Sequence, residues 1–408
     1  MKNQKLKFLA VLTLIVFSAF ACAKQELPNQ SGETVSSSKS DEGFVCRQWI
    51  SSNQTHLSEG RAEKASGWFT PYLAVGSKTN LGYWSTTSVT LKETAPGYFE
   101  KGECSAVNPI TYTLSLFKDL GDASEGIAFD GNGFVYITSY LQKKIKKLDS
   151  SGSEILKTNG QSFVEGIPSP SAIGFNKDGN LFAASYSSNK VFHYDAQGNL
   201  VNEITGYETK DYFGNIKTTA FNGPNGLTVS SKGDVFVGDM GSGKIIKISG
   251  GKGTVLYSSA YKCFNGLALS KDEKTLFALE SVSYGYGAIH KITLDDNGNF
   301  VKAVSTTPKK ALPILDGIAL DINGDLYVTY NKKDIARVKP DTGEVEVLYN
   351  GTELHYPANI AFGYGAGFDS KTIYITQVGQ AIESAKTGDT LIQKMLIHIE
   401  GMVLPIFN

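Results

Sequence analysis

Ligands for soft or transition metals are scarce in this 408-residue chain. It has four cysteines and five histidines, with no Cys-x-x-Cys pair and no clustered Cys/His spacing, which excludes a zinc site of the usual kind. A Gly-x-Ser-x-Gly elbow is missing too, and no histidine stands out as partner to a serine or cysteine nucleophile. Basic charge is not in surplus. With 39 Lys and Arg against 40 Asp and Glu, nothing in the composition holds nucleic acid, and no such partner is expected. Long helical apolar patterns are absent. Tryptophan is limited to Trp49, Trp68 and Trp84.

What is abundant points the other way. Glycine reaches 43, tyrosine 20 and phenylalanine 22. Glycine supplies the positive φ of tight turns, and aromatics pack well on pleated surfaces. The mix suits many short strands.

The N-terminus reads as an export signal. Lys2, Lys5 and Lys7 precede an apolar stretch from Phe8 to Phe20, shorter than a membrane span needs. Ala19-Phe20-Ala21-Cys22 resembles a lipoprotein cleavage box, which makes Cys22 the lipidated first residue of the mature chain. Ordinary cleavage after Ala21 or Ala23 is the alternative. Loss of residues 1–21 removes three lysines and leaves 36 basic against 40 acidic residues. Residues 22–45 are Ser-rich and nearly free of large apolar groups, as a flexible tether is. Residues 46–110 hold all three tryptophans and read as a small folded appendage. In an oxidising compartment Cys46 and Cys104, which bracket it, can pair. Cys263 is then left over as a buried thiol.

From about residue 111 to 408 the chain repeats itself. The phrases EGIAFDGNGFVYITSY (125–140), SAIGFNKDGNLFAASY (171–186) and NGLTVSSKGDVFVGD (225–239) each join two apolar strands by a Gly- or Asp-rich turn. NGLALSKDEKTLFALES (265–281), DGIALDINGDLYVTY (316–330) and ANIAFGYGAGFDSKTIYIT (358–376) follow the same plan, at intervals of 46, 54, 40, 51 and 42 residues. Asp178-Gly179, Lys232-Gly233 and Asn323-Gly324 supply hairpin turns. A third, alternating strand follows most phrases, as in KIKKLD and KIIKIS. About that much chain makes one four-stranded antiparallel sheet. The expected fold is therefore all-β, a six-bladed propeller. Five or seven blades would require an irregular repeat to be miscounted. The repeats contain no Trp, so this is not a WD40 propeller.

Aligned on the residue before the opening glycine, the repeats give Glu125, Ser171, Asn225, Asn265, Asp316 and Ala358. In a propeller the first strand of each blade lines the central channel, so these positions ring one mouth. Glu125, Asn225, Asn265 and Asp316 offer oxygen ligands of the kind that Ca²⁺ or another hard divalent cation takes. Asn or Asp before Gly is also common at turns, where the side chain bonds nearby backbone. Four oxygen donors at one register outweigh that explanation. Among the histidines, His355 lies within reach of the mouth, whereas His193 and His290 read as packing residues.

The repeat set resembles the family of senescence marker protein-30, gluconolactonase and strictosidine-synthase-like propellers, related to NHL repeats. The resemblance rests on SEGIAF (124–129), GPNGLTV (223–229), FNGLALS (264–270), LDGIALD (315–321) and the AFG…TIYIT pair within 361–376. It implies one divalent ion, often calcium, on a Glu, two Asn and an Asp. Glu125, Asn225, Asn265 and Asp316 occupy that blade order. It further implies hydrolysis of a lactone or related ester, with Asp316 as both ligand and proton acceptor. The expected protein is a monomer tethered by lipid in a bacterial cell envelope. The competing expectation is an anchored propeller that binds or scaffolds without catalysis.

Overall fold

The computed structural model of the protein describes residues 38–39, 45–67, 69–104, 111–259, 263–281, 285–382 and 389–403. The signal segment, Cys22, Trp68 and most of the tether lie outside them. Two compact units are present, over residues 27–111 and 112–408. Among the described residues no helix is long and apolar enough to cross a membrane.

The smaller unit is a folded β module. Val45–Ser52, Ser88–Ala95 and Tyr98–Lys101 form an antiparallel sheet, and Ala62–Lys64, Tyr72–Ala74 and Asn80–Gly82 form a second. A short helix, Asn53–Ser58, is N-capped by the Ser52 hydroxyl, which accepts from the Thr55 amide at 3.2 Å. The core is Ala62, Tyr72, Ala74, Leu81, Val89, Leu91 and Phe99, with Trp49 packed against it. Trp84 is 67% exposed, so small and aliphatic residues build this core more than the tryptophans do. Cys46 and Cys104 are joined by a disulfide. The tether reading is corrected at its end, because Ser38–Lys39 pairs with Val45 and Cys46 as an edge strand.

Among the described residues of the larger unit, six sheets built of antiparallel neighbours follow one another along the chain. Their inner strands are Ile127–Phe129 (β1), Pro170–Phe175 (β2), Pro224–Val229 (β3), Phe264–Leu269 (β4), Ile318–Leu320 (β5) and Pro357–Phe362 (β6). Each inner strand touches the next, from β1 to β2 and on to β6, and β6 touches β1 again. The ring is closed.

Burial changes outward within each sheet. Second strands such as Leu181–Ser185, Val235–Asp239 and Leu326–Tyr330 are buried at every residue. They are flanked by protein on both faces and read as continuous apolar runs. Third strands alternate, and outer strands such as Leu200–Ile204 are mostly exposed. Six apolar clusters fill the gaps between neighbouring sheets. Tyr136, Phe175 and Phe192 lie between the first and second, while Ile127, Ile392 and Tyr374 lie between the sixth and first. Each fully buried residue of this kind contributes about 1.5–3 kcal/mol. The repeat is cohesive because every blade buries two faces. This is a β-propeller.

Two features depart from the simple repeat. The outer strand of the sixth sheet is Leu114–Asp119, which pairs with Leu391–Leu396 and so joins the start of the ring to its end. The third sheet is extended by a hairpin, Gly206–Lys210 and Ile216–Ala220, whose first strand runs parallel to Lys252–Ser258. That insertion accounts for the longest repeat interval. Gly179, Gly233 and Gly324 take positive φ of 77°, 82° and 82° at the hairpin turns, the conformation expected of them.

Candidate functional site

Glu125, Asn225, Asn265 and Asp316 line one cavity at the mouth of the channel, together with Ala172, Leu227, Leu267 and Ile318. They stand at the starts of β1, β3, β4 and β5, or just before them, so ring closure gathers residues far apart in sequence. Close approach of the inner strands requires the glycines that follow them. A Cβ on Gly226 would lie 1.7 Å from the Asn265 carbonyl oxygen, and one on Gly266 would lie 2.3 Å from that of Asp316. Neither glycine has positive φ. They are needed because the neighbouring backbone occupies the side-chain space, not because the chain bends sharply there.

Second-strand threonines fix the ring further. The Thr138 hydroxyl accepts from the amides of Glu125 and Gly126 at 3.0 and 2.8 Å. Thr329 accepts from the Gly317 amide at 2.7 Å and donates to the Ala358 carbonyl. Thr376 accepts from the Asn359 amide and donates to the Glu125 carbonyl at 2.5 Å. Each of the last two binds across the gap to the next inner strand. The backbone carrying Glu125 is therefore held from both sides.

The two carboxyls are partly open to solvent by area, but they sit deep among the converging strands and lose most of their hydration. Burial pushes the Glu125 carboxyl up to about 7, against a hydrogen bond from Asn225 that pulls it down. Asp316 is raised well above the usual carboxylate range by burial first and by the Glu125 charge second, with a hydrogen bond from Asn265 opposing both. Each acid is thus paired with one amide, and the two acids repel one another. An amide that donates through its nitrogen still carries an acceptor oxygen. No Lys, Arg or His appears in the lining among the described residues, so no protein cation offsets these charges. Tyr140 stands nearby; burial, and then the Glu125 charge, push its phenol far up.

The other ring positions behave differently. Ser171 is fully buried, and its hydroxyl bonds backbone carbonyls of Ala184, Pro224 and Asn225, all at 3.3 Å. It ties the second sheet to the third. Ala358 lines the cavity without a polar group, but the next residue, Asn359, lines it as well. Asn359 stands where the other phrases have glycine (a signal visible in ANIAF beside NGLTV) and its Oδ1 accepts from the Ile360 amide at 2.8 Å. His355 lines a separate cavity with Asp389. His193 stacks on Phe182 at 4.4 Å. His290 is buried and hydrogen-bonds Glu280 at 2.7 Å and Ser305 at 2.8 Å. Cys263 is disulfide-bonded, which corrects the expectation of a leftover thiol.

No group of three or more His, Cys, Asp and Glu that could hold a metal occurs among the described residues. The channel mouth has a different composition, two carboxylates and two amides. Fold and site together define an all-β propeller with a ring of oxygen donors at its axis.

Residues 207–379 match the SMP-30/gluconolactonase/LRE-like region, and the resemblance read from the repeats is shown by this match. Lactonase drp35 of Staphylococcus aureus strain MW2 is 24% identical over 257 residues, covering 57% of this chain and 74% of that protein. Among solved structures, the calcium-binding protein regucalcin of Agrobacterium tumefaciens strain C58 superposes with a TM-score of 0.53 at 17% identity. It spans 73% of this chain and 98% of its own. The gluconolactonase XC5397 of Xanthomonas campestris gives a TM-score of 0.52 at 16% identity, over 70% and 90%. These structural likenesses bear on the fold.

Proposed function

We propose that this chain is a lactone hydrolase built on six blades, with one divalent cation, calcium foremost, on Glu125, Asn225, Asn265 and Asp316. The observation that carries the proposal is the pair of carboxyls held together at the channel mouth, both raised by burial and Asp316 further by the Glu125 charge, with no cation among the described residues that line the cavity. A hard cation fits such a donor set, because it offsets two charges and takes amide oxygens as neutral ligands. The cavity fits it in size as well. Its volume of about 20 Å³ is that of one water-sized body. The family match and the lactonase relative support the same reaction class.

When bound there, the cation would supply Lewis-acid polarisation of the ester carbonyl. The protein's own part is orientation and proton handling. A water oxygen bonds the carbonyl carbon and Asp316 takes its proton. The ring C–O bond then breaks, and the departing alkoxide receives that proton to give a hydroxy acid. Burial and the Glu125 charge raise Asp316 above the usual carboxylate range, which favours it as the proton acceptor. The hydrogen bond from Asn265 keeps it oriented.

Location follows from the N-terminus. The export-signal make-up of the segment 1–21 supports delivery of the propeller to a bacterial cell envelope, as a monomer. One observation favours the reading as a binding module instead. In the appendage, exposed Phe69 stacks on Tyr83 at 4.8 Å and meets Trp84 edge-on at 6.2 Å, a platform of the kind ligands pack on.

Assay of the purified chain with simple aldonolactones separates the two. Turnover in calcium is expected, falling by roughly 100-fold or more in EDTA. A chain that is stabilised by calcium yet turns over no lactone is a binding module, and the hydrolase reading fails.

A further inference from the structure

A second cavity of about 150 Å³ lies among Lys332, Lys333, Thr352, His355, Tyr356 and Asp389, and shares no residue with the channel mouth. It is several times larger, though well short of the size that encloses a drug-like ligand. A group of a few heavy atoms fits it.

At its base, His355 Nδ1 donates to Asp389 Oδ1. Asp389 is 2% exposed. Because a carboxylate only accepts, the proton on this edge belongs to Nδ1, and Nε2 is the other polar edge of the ring. The residue is positioned from two further directions. Its amide donates to Gln377 Oε1 at 2.6 Å, and its carbonyl accepts from the Gly379 amide at 3.1 Å. A Cβ on Gly379 would come within 2.9 Å of the His355 Cβ and 3.1 Å of Asp389 Oδ1, so that glycine makes the room the pair occupies. Gln377 is fully buried, donates to the Leu391 carbonyl, and accepts from the Ser124 amide beside Glu125. The following residue, Tyr356, sits at φ 53°, a strained conformation for a bulky side chain. Such over-determination is more than packing a mostly buried imidazole requires.

The chemistry of the lining is cationic at the rim. Lys332 and Lys333 bring two ammonium groups. The buried carboxylate bonds the imidazole, and Thr352 adds a hydroxyl. We propose that this cavity is a binding site for a small oxyanion that also carries a hydroxyl, such as hydrogen phosphate or an α-hydroxy carboxylate. The lysines take the negative oxygens. His355 Nε2 takes the hydroxyl as an acceptor. Charge-assisted contacts of this kind are the strong ones. The site stands independently of the hydrolase reading.

Isothermal titration calorimetry on the full chain tests it, with inorganic phosphate and glycolate titrated separately in EDTA. Saturable binding of one equivalent of at least one probe is expected, and the stronger of the two identifies the ligand class. The double variant K332A/K333A should weaken it at least roughly tenfold. His355→Gln should weaken it too, with the melting temperature checked in parallel. Glu125→Gln should leave it unchanged, because the channel mouth is a different place. The proposal is overturned by no saturable binding of either probe, by binding that survives K332A/K333A intact, or by equal loss in Glu125→Gln.

Discussion

Replacing Asp316 with Asn should cut lactone turnover by about 10²–10⁴, the span removed with a general base in other enzymes. The change keeps the side chain's shape and its place beside Asn265, but removes both the proton acceptor and one of the two charges a cation would meet. The loss should fall mainly on kcat, with KM moving far less, because the carboxylate acts on the water and not on the resting substrate. The same substitution removes one of two mutually repelling buried acids. The cation-free variant should therefore melt no lower than the parent at pH 8, which separates a catalytic defect from misfolding. Turnover within a few-fold of the parent would leave any ion at this site a structural tie between blades.

Calcium should raise the melting temperature by an amount that grows with pH. Burial raises Glu125 from its ordinary 4.5 to about 7, and burial followed by the Glu125 charge raises Asp316 as well. A carboxyl whose pKa is higher in the folded state binds more protons folded than unfolded. Its contribution to stability is full at pH 4.5 and is lost as pH rises through about 7. The cation-free protein thus carries a destabilising pair at pH 8. Cation binding works against protons at the same oxygens, so it is weak at pH 5 and strong at pH 8. A ligand at one hundred times its Kd stabilises by about 2.7 kcal/mol, which for a domain of this size is a shift of roughly 4 °C. Little or no shift is expected at pH 5. A calcium shift of equal size at both pH values would place the ion away from these acids.

Period and turn chemistry made the propeller legible, because each repeat had to present one buried hairpin and the turn glycines mark it. Glu125, Asn225, Asn265 and Asp316 could be aligned for the same reason. A ring turns a shared register into spatial convergence. Asn359 was hidden by its neighbour, since aligning the sixth phrase on the glycine position put Ala358 in the ring and left the amide one place later. The role of the glycines at 226 and 266 could not be read locally either, for it depends on a carbonyl from the next inner strand.

Features that join distant segments were the least visible. Leu114–Asp119 completes the sixth sheet against a strand more than 270 residues away, and nothing local in LSLFKD announces that partner. His355 and Asp389 are 34 residues apart and belong to no shared motif. Cys263 shows the same limit for covalent pairing. The hairpin at 206–220 lay inside an interval that was noticeably long, and length alone does not say whether extra chain is loop or strand.

Crystals grown with calcium, or with manganese as a stronger anomalous scatterer, test the central claim most directly. One anomalous peak is expected at the channel axis, within about 2.3–2.6 Å of oxygens from Glu125, Asn225, Asn265 and Asp316. A fully occupied cation elsewhere on the propeller, with those four side chains bonded only to one another, would contradict the account.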